Sequence, residues 1–526
     1  MKKILFAILS LMTVLSCVTD DTVTKFNDLN TVSISGLEDN YTFDFLRPKT
    51  IEPVVTTARN DESNLEYRWY LFNNTNKFSA DTLSREKIFN AAVGALPGAG
   101  YSLVFSVQDK TTGVYYKKTM AATIVSDLTA GTLVLCEENG KVDLNFINPS
   151  RNEVLRNVFT NANPDLTLTS SAKRVVSANP NNTKLACKQI MVFSNDADGG
   201  FVLDPNTFKK TNTLRVGFYT AISDPILADA NYETAVNPKT SSYDYLFING
   251  KVYNRSVGTN DPKWKPSLII TDTSIPTNYS LAPFAVNTNL FHANSSQIPV
   301  FYDNLNGRFL NLTATNVGYI GQFPFVANIG FEVNNTGMKI LGVGDTNPST
   351  AIFAGRSYIA ICESIADPSK RYLMRFSYGF KVQADIPTKQ TLVGESLTLL
   401  DPATYPGIYA TDKFVYEYWN TTKGILWYTD GGKLYALNAA TASAPTENVM
   451  INFAAQGLTA DVVKTFNRST LGKSLIRIAV RDNNLSTGKA GIINYEASLV
   501  GGITIDETSR IFGLGDKIID FDEKVN

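Results

Sequence analysis

Histidine is almost absent from this chain, with one among 526 residues, and cysteine is scarce, with four. Nucleophilic triads of the Ser-His-Asp or Cys-His kind need an imidazole beside the nucleophile. Only His292 could supply it, and no Gly-x-Ser-x-Gly elbow accompanies it, so His292 reads as a loop or packed residue. One histidine and no Cys-x-x-Cys pair leave a structural zinc site without ligands. Leu471-Gly472-Lys473-Ser474 has only the end of a phosphate-binding loop, with Asn467 where its first glycine belongs. Asp196-Ala197-Asp198-Gly199 and Asp482-Asn483-Asn484 lack the full spacing of a calcium loop, and aspartates in turns usually bond their own backbone. No cofactor, no metal and no catalytic residue is therefore expected. An excess of charge of either sign is missing too, with 48 basic against 49 acidic side chains, so a nucleic-acid partner is not expected.

Long apolar runs are missing after the first 16 residues, so no later segment is expected to cross a bilayer as a helix. The start itself, two lysines and then Ile4 to Val14, reads as a signal peptide. It ends in Val14-Leu15-Ser16-Cys17, which matches a bacterial lipobox and makes Cys17 the expected lipid anchor and new N-terminus. An ordinary secretory signal is the alternative. The acidic stretch Val18-Thr19-Asp20-Asp21-Thr22 resembles the signal that sends Bacteroidetes lipoproteins to the outer face of the outer membrane. A merely polar tether is the alternative there. Of the other cysteines, Cys136 and Cys362 lie in apolar strand-like runs and read as buried thiols, and with Cys187 they number three, so at most one bridge could form.

About 500 mature residues call for two or more domains. The 24 tyrosines and 30 phenylalanines suit strands and supply a core. Period-two alternation begins at Thr31-Val32-Ser33-Ile34 and recurs at Leu65-Glu66-Tyr67-Arg68-Trp69-Tyr70 and at Tyr101 to Val107. A turn at Asp109-Lys110-Thr111-Thr112-Gly113 follows, then Val114-Tyr115-Tyr116. This predicts a small β-sandwich over 29–125, with Trp69 as its core tryptophan. The Tyr-x-Leu-x-Phe-x-Val-x-Asp-x-x-x-Gly pattern from Tyr101 to Gly113 resembles a PKD-type immunoglobulin-like domain. The layout of residues 1–17 as lipoprotein signal, 18–28 as tether, a PKD-like module and a long β-rich remainder resembles the PKD-like family lipoproteins of Bacteroidetes.

From Gly131 onward a hairpin unit repeats. It is clearest at Thr132 to Ile147 around Asn139-Gly140, and returns at Gln189, Tyr245, Pro299 and Ile425 with Asp198-Gly199, Asn249-Gly250, Asn306-Gly307 and Asp430-Gly431. Two looser copies start at Tyr358 and Ile476, giving steps of 51 to 67 residues. Asn-Gly and Asp-Gly suit type I′ hairpins, whose two central positions need positive φ. The reading is an all-β protein whose residues 126–526 form a β-propeller of seven blades, with six or eight blades or stacked sandwiches as alternatives.

The candidate ligand-binding residues are aromatics in polar or proline-rich surroundings. Trp264 in Lys263-Trp264-Lys265-Pro266 is expected to be exposed, with Tyr405 and Tyr409 in Tyr405-Pro406-Gly407-Ile408-Tyr409 as a second loop. Tyr416, Tyr418, Trp419 and Trp427 read as core residues. The family resemblance implies a surface-exposed, non-catalytic outer-membrane lipoprotein that captures oligosaccharide or peptide for a SusC/SusD-type uptake system. An adhesion or structural envelope protein, and a carbohydrate-active enzyme on a propeller scaffold, are the alternatives. The Asp-box of sialidase propellers is absent, since Ser194-Asn195-Asp196-Ala197-Asp198 departs from it after the third position.

Overall fold

The computed structural model describes residues 30–524 except 96, 127, 129, 150, 179–188, 220–230, 236–242, 257–262, 287–298, 313–317, 325–329, 346–355, 384–385, 412, 416–423, 440–444, 469–472 and 499–502. The signal, Cys17, the tether, Cys187, His292, Tyr416, Tyr418 and Trp419 lie outside the described residues. The chain divides into two compact units, Met1–Val125 and Ser126–Asn526.

In the first unit a five-stranded sheet runs in the order Asn40–Asp44, Tyr115–Val125, Gly98–Asp109, Leu65–Asn73, Asn76–Ser84, and its first pair is parallel. Two short pairs, Val32–Ser35 with Val54–Thr57 and Pro48–Ile51 with Phe89–Ala92, complete the sandwich. Alternation along Leu65–Asn73 sends Trp69 and Leu71 inward. The Trp69 ring lies 4.5 Å from Phe105 and 5.5 Å from Phe89, and its Nε1 donates to the Glu86 carbonyl at 3.1 Å. Asp109 shapes the turn read from the sequence, accepting the Thr111 N–H through Oδ1 at 2.8 Å while its carbonyl takes the Gly113 N–H.

The second unit holds seven separate sheets among the described residues. In chain order their second strands are Gly131–Glu138, Gln189–Ser194, Tyr243–Ile248, Val300–Asp303, Arg356–Ser364, Ile425–Thr429 and Lys473–Asp482, except that the fourth sheet begins with Val300–Asp303. The strands follow one another across each sheet, and the first sheet is completed by the last strand of the chain, Lys517–Lys524, paired with Gly131–Glu138. That closing strand lies between the first strands of the second sheet, Ala172–Ala178, and of the seventh, Leu458–Arg468.

Pleating explains why these strands are apolar without a break. Tyr358, Ala360 and Cys362 pack toward the fourth sheet, against Tyr302 and Phe309. Ile359 and Ile361, the residues between, pack toward the sixth, against Leu426 and Tyr428. Trp427 then faces the seventh sheet with Ile476 and Ile478, and Ala479 faces back to the first with Val134 and Phe521. Leu246 and Tyr245 divide in the same way between the second and fourth sheets. Phe146 and Phe208, with ring centroids 5.7 Å apart, join the first and second. Each sheet thus buries both faces against its neighbours, and the series returns to its start, which makes the unit a β-propeller.

The repeated glycines do two things. Only Asn139-Gly140 (φ 51° and 73°) and Asn249-Gly250 (φ 54° and 68°) are two-residue turns with positive φ at both positions. The other three copies depart from the expected type I′ form and use longer turns. At Asp430 the cause is visible, because its Oδ1 accepts the N–H groups of Gly432 and Lys433 at 2.8 and 2.7 Å. In addition, the carbonyls of Gly250, Gly307 and Gly431 accept N–H groups from Leu281, Thr336 and Ala460 at 2.9, 2.7 and 2.7 Å, so these turns also hold the chain entering the next sheet. A Cβ at Gly250 would stand 3.0 Å from Ser280 Cα and 2.3 Å from its Oγ. Gly250→Ala is expected to cost at least about 1–2 kcal/mol from the left-handed backbone alone. Urea unfolding checks it, and an unmoved midpoint refutes the close approach.

Candidate functional site

The residues singled out in the sequence turn out to be parts of the framework. Trp264 is 2% exposed, against the expectation of an exposed ring. Its N–H donates to Gly217 at 2.7 Å and its carbonyl accepts from Tyr219 at 2.9 Å, a single parallel bridge opposite Phe218, just past the 3-10 turn Arg215–Gly217. Lys263 beside it is exposed and Lys265 half-buried, while its ring packs with Phe193, Leu246 and Ile248 under the Arg255 guanidinium, 4.3 Å from the centroid. Tyr405 caps a one-turn helix, Pro406–Ala410, between the fifth and sixth sheets, and Tyr409 lies within it. Both are half-buried with hydroxyls committed to the chain, Tyr405 donating to Pro445 at 2.8 Å and Tyr409 to Leu400 at 2.7 Å.

Charged groups inside the propeller also serve structure. Asp303 and Arg308, 0% and 1% exposed at their side chains, form an ion pair of 2.9 Å across a turn. Arg308 Nη2 also donates to Pro276 at 2.5 Å, and Asp303 Oδ1 accepts the Ser280 N–H at 3.0 Å, so the pair pins the segment before the fourth sheet. Glu447 accepts the N–H groups of Gly407 and Ile408 at 2.9 and 3.0 Å and the Tyr428 hydroxyl, fixing the short helix. Asp196 takes the Asp198 N–H at 3.1 Å and the Ser194 hydroxyl, and Asp482 takes the Asn484 N–H at 2.9 Å, as ordinary turn aspartates do. Lys473 and Ser474 begin a strand, where a phosphate-binding loop would begin a helix. Among the described residues no group of three or more His, Cys, Asp or Glu is placed to hold a metal ion. Cys136 and Cys362 are free and buried; burial pushes the Cys136 thiol up to about 12, which leaves it unreactive near neutrality.

What faces solvent is a set of aromatics that the sequence reading passed over. Segment 264–270 is the outer edge of the third sheet, tied by Lys265 N–H to Asn254 and Leu268 N–H to Val252 at 2.8 and 2.9 Å. Farther along, Ile269 donates to Gly318 at 2.8 Å and accepts from Ile320 at 3.0 Å. The outer edges of the second, third and fourth sheets are thereby laced side by side. Alternation puts Phe218, Leu268, Ile270 and Ile320 inside and leaves Tyr219, Ile269 and Tyr319 56%, 51% and 45% exposed. Lys263 Nζ stands 5.9 Å from the Tyr219 ring centroid. Two open tyrosine faces, one beside an ammonium group, can stack on a sugar ring or an apolar side chain and donate hydrogen bonds to its polar rim. The one signal for them was the Phe218-Tyr219 and Leu268-Ile269-Ile270 alternation, legible only once these segments are known to pair.

Comparison with known proteins adds the following. The chain is similar over 90% of its length to 96% of a quinonprotein alcohol dehydrogenase-like protein from Bacteroides thetaiotaomicron, at 10% identity and a TM-score of 0.39. It is similar over 76% to 95% of an Agrocybe aegerita lectin described as recognising non-reducing terminal N-acetylglucosamine, at 13% identity and a TM-score of 0.39. A dihydro-heme d1 dehydrogenase, NirN, is similar over 88% of this chain and 75% of its own, at 9% identity and a TM-score of 0.33. No curated protein matches. The PKD-like family matches residues 17–169, past the end of the first unit at Val125 and through the Gly131–Glu138 and Lys141–Asn148 hairpin. Residues 17–169, in the N-terminal part of the chain, are similar to the PKD-like family.

Proposed function

We propose that this protein is a lipoprotein anchored through Cys17 on the outer membrane, facing the cell exterior, where it captures glycan or peptide oligomers as a non-catalytic accessory to a SusC/SusD-type uptake system. The observation that carries the binding part is the exposed pair Tyr219 and Tyr319 on the laced outer edge of the propeller. The anchoring part is supported by the lipobox, and the family match begins at that same cysteine. No helix among the described residues is long and apolar enough to cross a membrane, so the acyl chains carry attachment in this reading.

A screen of residues 25–526 against glycan and peptide oligomers tests capture. Binding without turnover is the expected result; release of product would replace the accessory role with an enzyme, and silence toward every small oligomer would favour adhesion through a protein partner. Tyr219→Ala and Tyr319→Ala are each expected to weaken the bound oligomer about two- to tenfold, the 0.5–1.5 kcal/mol of an aromatic contact. Calorimetric affinities unchanged by both substitutions would discard this surface. Mass spectrometry of the envelope-extracted protein should find diacylglycerol on Cys17, and a free thiol there would remove the anchor.

A further inference from the structure

We propose that the laced rim takes an anionic oligosaccharide, bearing sugar carboxylates or sulfates, and not a peptide; this rests on the capture reading above and names its ligand class. The first observation concerns the backbone. Phe218 bridges Trp264 and Ile269 bridges Tyr319, both in parallel. These bridges consume the carbonyls of Gly217, Trp264, Gly318 and Ile269 and the N–H groups of Tyr219, Trp264, Ile269 and Ile320. On its other side, segment 264–270 gives the Lys265 and Leu268 N–H groups to Asn254 and Val252. An extended peptide gains its affinity at a sheet edge from main-chain hydrogen bonds, and here those groups are already spent on one another. Recognition is left to side chains.

The side chains suit a sugar chain. Tyr219, Ile269 and Tyr319 are exposed together with Val216 and Pro266, giving apolar patches of the kind that lie against sugar ring faces. The two tyrosines meet segment 264–270 at Trp264 and Ile269, five residues apart and so at most about 18 Å along the chain. An oligomer of several units can cover both. The charge within these stretches has one sign: Arg215, Lys263 and Lys265 stand in 215–219 and 263–271, and no Asp or Glu occurs there or in 318–323. Lys263 is exposed, its Nζ 5.9 Å from the Tyr219 ring centroid, and it forms no ion pair among the described residues. Asp198 meets this group through its carbonyl, which accepts the Arg215 N–H at 3.2 Å, and Asp272 turns its carboxylate to the Ser274 N–H and hydroxyl at 2.9 and 2.6 Å. An acid group on a sugar stacked over Tyr219 comes within reach of the Lys263 ammonium, which a neutral sugar leaves unused.

Isothermal titration of the full chain tests this with hexasaccharides of galacturonate and of alginate as carboxylate probes and of κ-carrageenan as the sulfate probe. Each is run beside its uncharged form, methyl ester or desulfated chain, and beside hexaglutamate. At least one anionic hexasaccharide should bind about fivefold or more tightly than its uncharged form and than hexaglutamate, and which one binds separates carboxylate from sulfate. Lys263→Gln, a surface change, should weaken that probe about two- to fivefold, as befits one exposed charge pair, and leave the uncharged form where it was. An uncharged form or hexaglutamate that binds as tightly, and is lost on Tyr219→Ala, overturns the anionic glycan while keeping the rim site. Anionic binding unmoved by Tyr219→Ala and Tyr319→Ala removes the rim site and this inference with it. Silence toward every probe also overturns the inference, and the wider oligomer screen then decides capture by itself.

Discussion

Trp264→Ala lowers the unfolding free energy by about 3–5 kcal/mol, the cost of emptying a tryptophan site in a core. The ring is sealed between the second and third sheets among Phe193, Leu246, Ile248 and Phe218, and the surrounding strands are held by ladders on both sides and cannot collapse into the space. A second cost is added at Arg255, which is 3% exposed and lies over the ring face; its Nη1 keeps Gln189 Oε1 at 3.0 Å but loses the aromatic surface. Denaturant unfolding followed by near-ultraviolet circular dichroism measures it. Tyr219→Ala is the control, expected within about 0.5 kcal/mol of the parent because its side chain is 56% exposed and empties no core site. A Trp264→Ala loss no larger than that of Tyr219→Ala would return the ring to the surface.

Deleting residues 517–526 has a larger expected effect, because it removes the seam and not a single side chain. Gly131–Glu138 loses its partner from Gly131↔Lys524 to Glu137↔Lys517, and becomes an apolar open edge. Phe521 and Ile518 leave the cluster shared by the first and seventh sheets, and each is worth about 1.5–3 kcal/mol of burial. The truncated chain should lose the cooperative melting of its propeller and become protease-sensitive between the first and seventh sheets. Supplying 517–526 as a free peptide should restore part of the transition. A melt coinciding with that of the full chain would show that closure does not depend on this strand.

Architecture was readable where a local interaction decides it. Asn139-Gly140 and Asn249-Gly250 announce hairpins because positive φ at two successive positions admits few other residues, and Trp69 sits among alternating neighbours that mark its inward face. Trp264 was misread because its bridge partner, Phe218, is distant in sequence, and the prolines and lysines around it suggested a loop. The lysines in fact flank a single buried bridge residue, Lys263 exposed and Lys265 half-buried. The closing strand was invisible for a related reason. Asp520 and Asp522 look like solvent-facing charges in Lys517-Ile518-Ile519-Asp520-Phe521-Asp522, and their N–H partners on Val175 and Ser177 exist only after the ring has closed. Tyr219 and Tyr319 could not be told from packed tyrosines until the outer edges were known to pair.

Strands that bury both faces carry a hidden ambiguity. In a half-exposed sheet, sliding a strand by one residue drives its apolar set into water, and that penalty alone fixes the alignment. For Tyr358-Ile359-Ala360-Ile361 or Ile425-Leu426-Trp427-Tyr428 the same slip merely exchanges one greasy surface for another. Correct alignment must therefore come from features intolerant of displacement: the Asp303–Arg308 pair, Glu447 on its two N–H groups, and the tight Asn-Gly corners. Those few polar anchors, more than the abundant hydrophobic residues, select which of several equally oily arrangements the chain adopts.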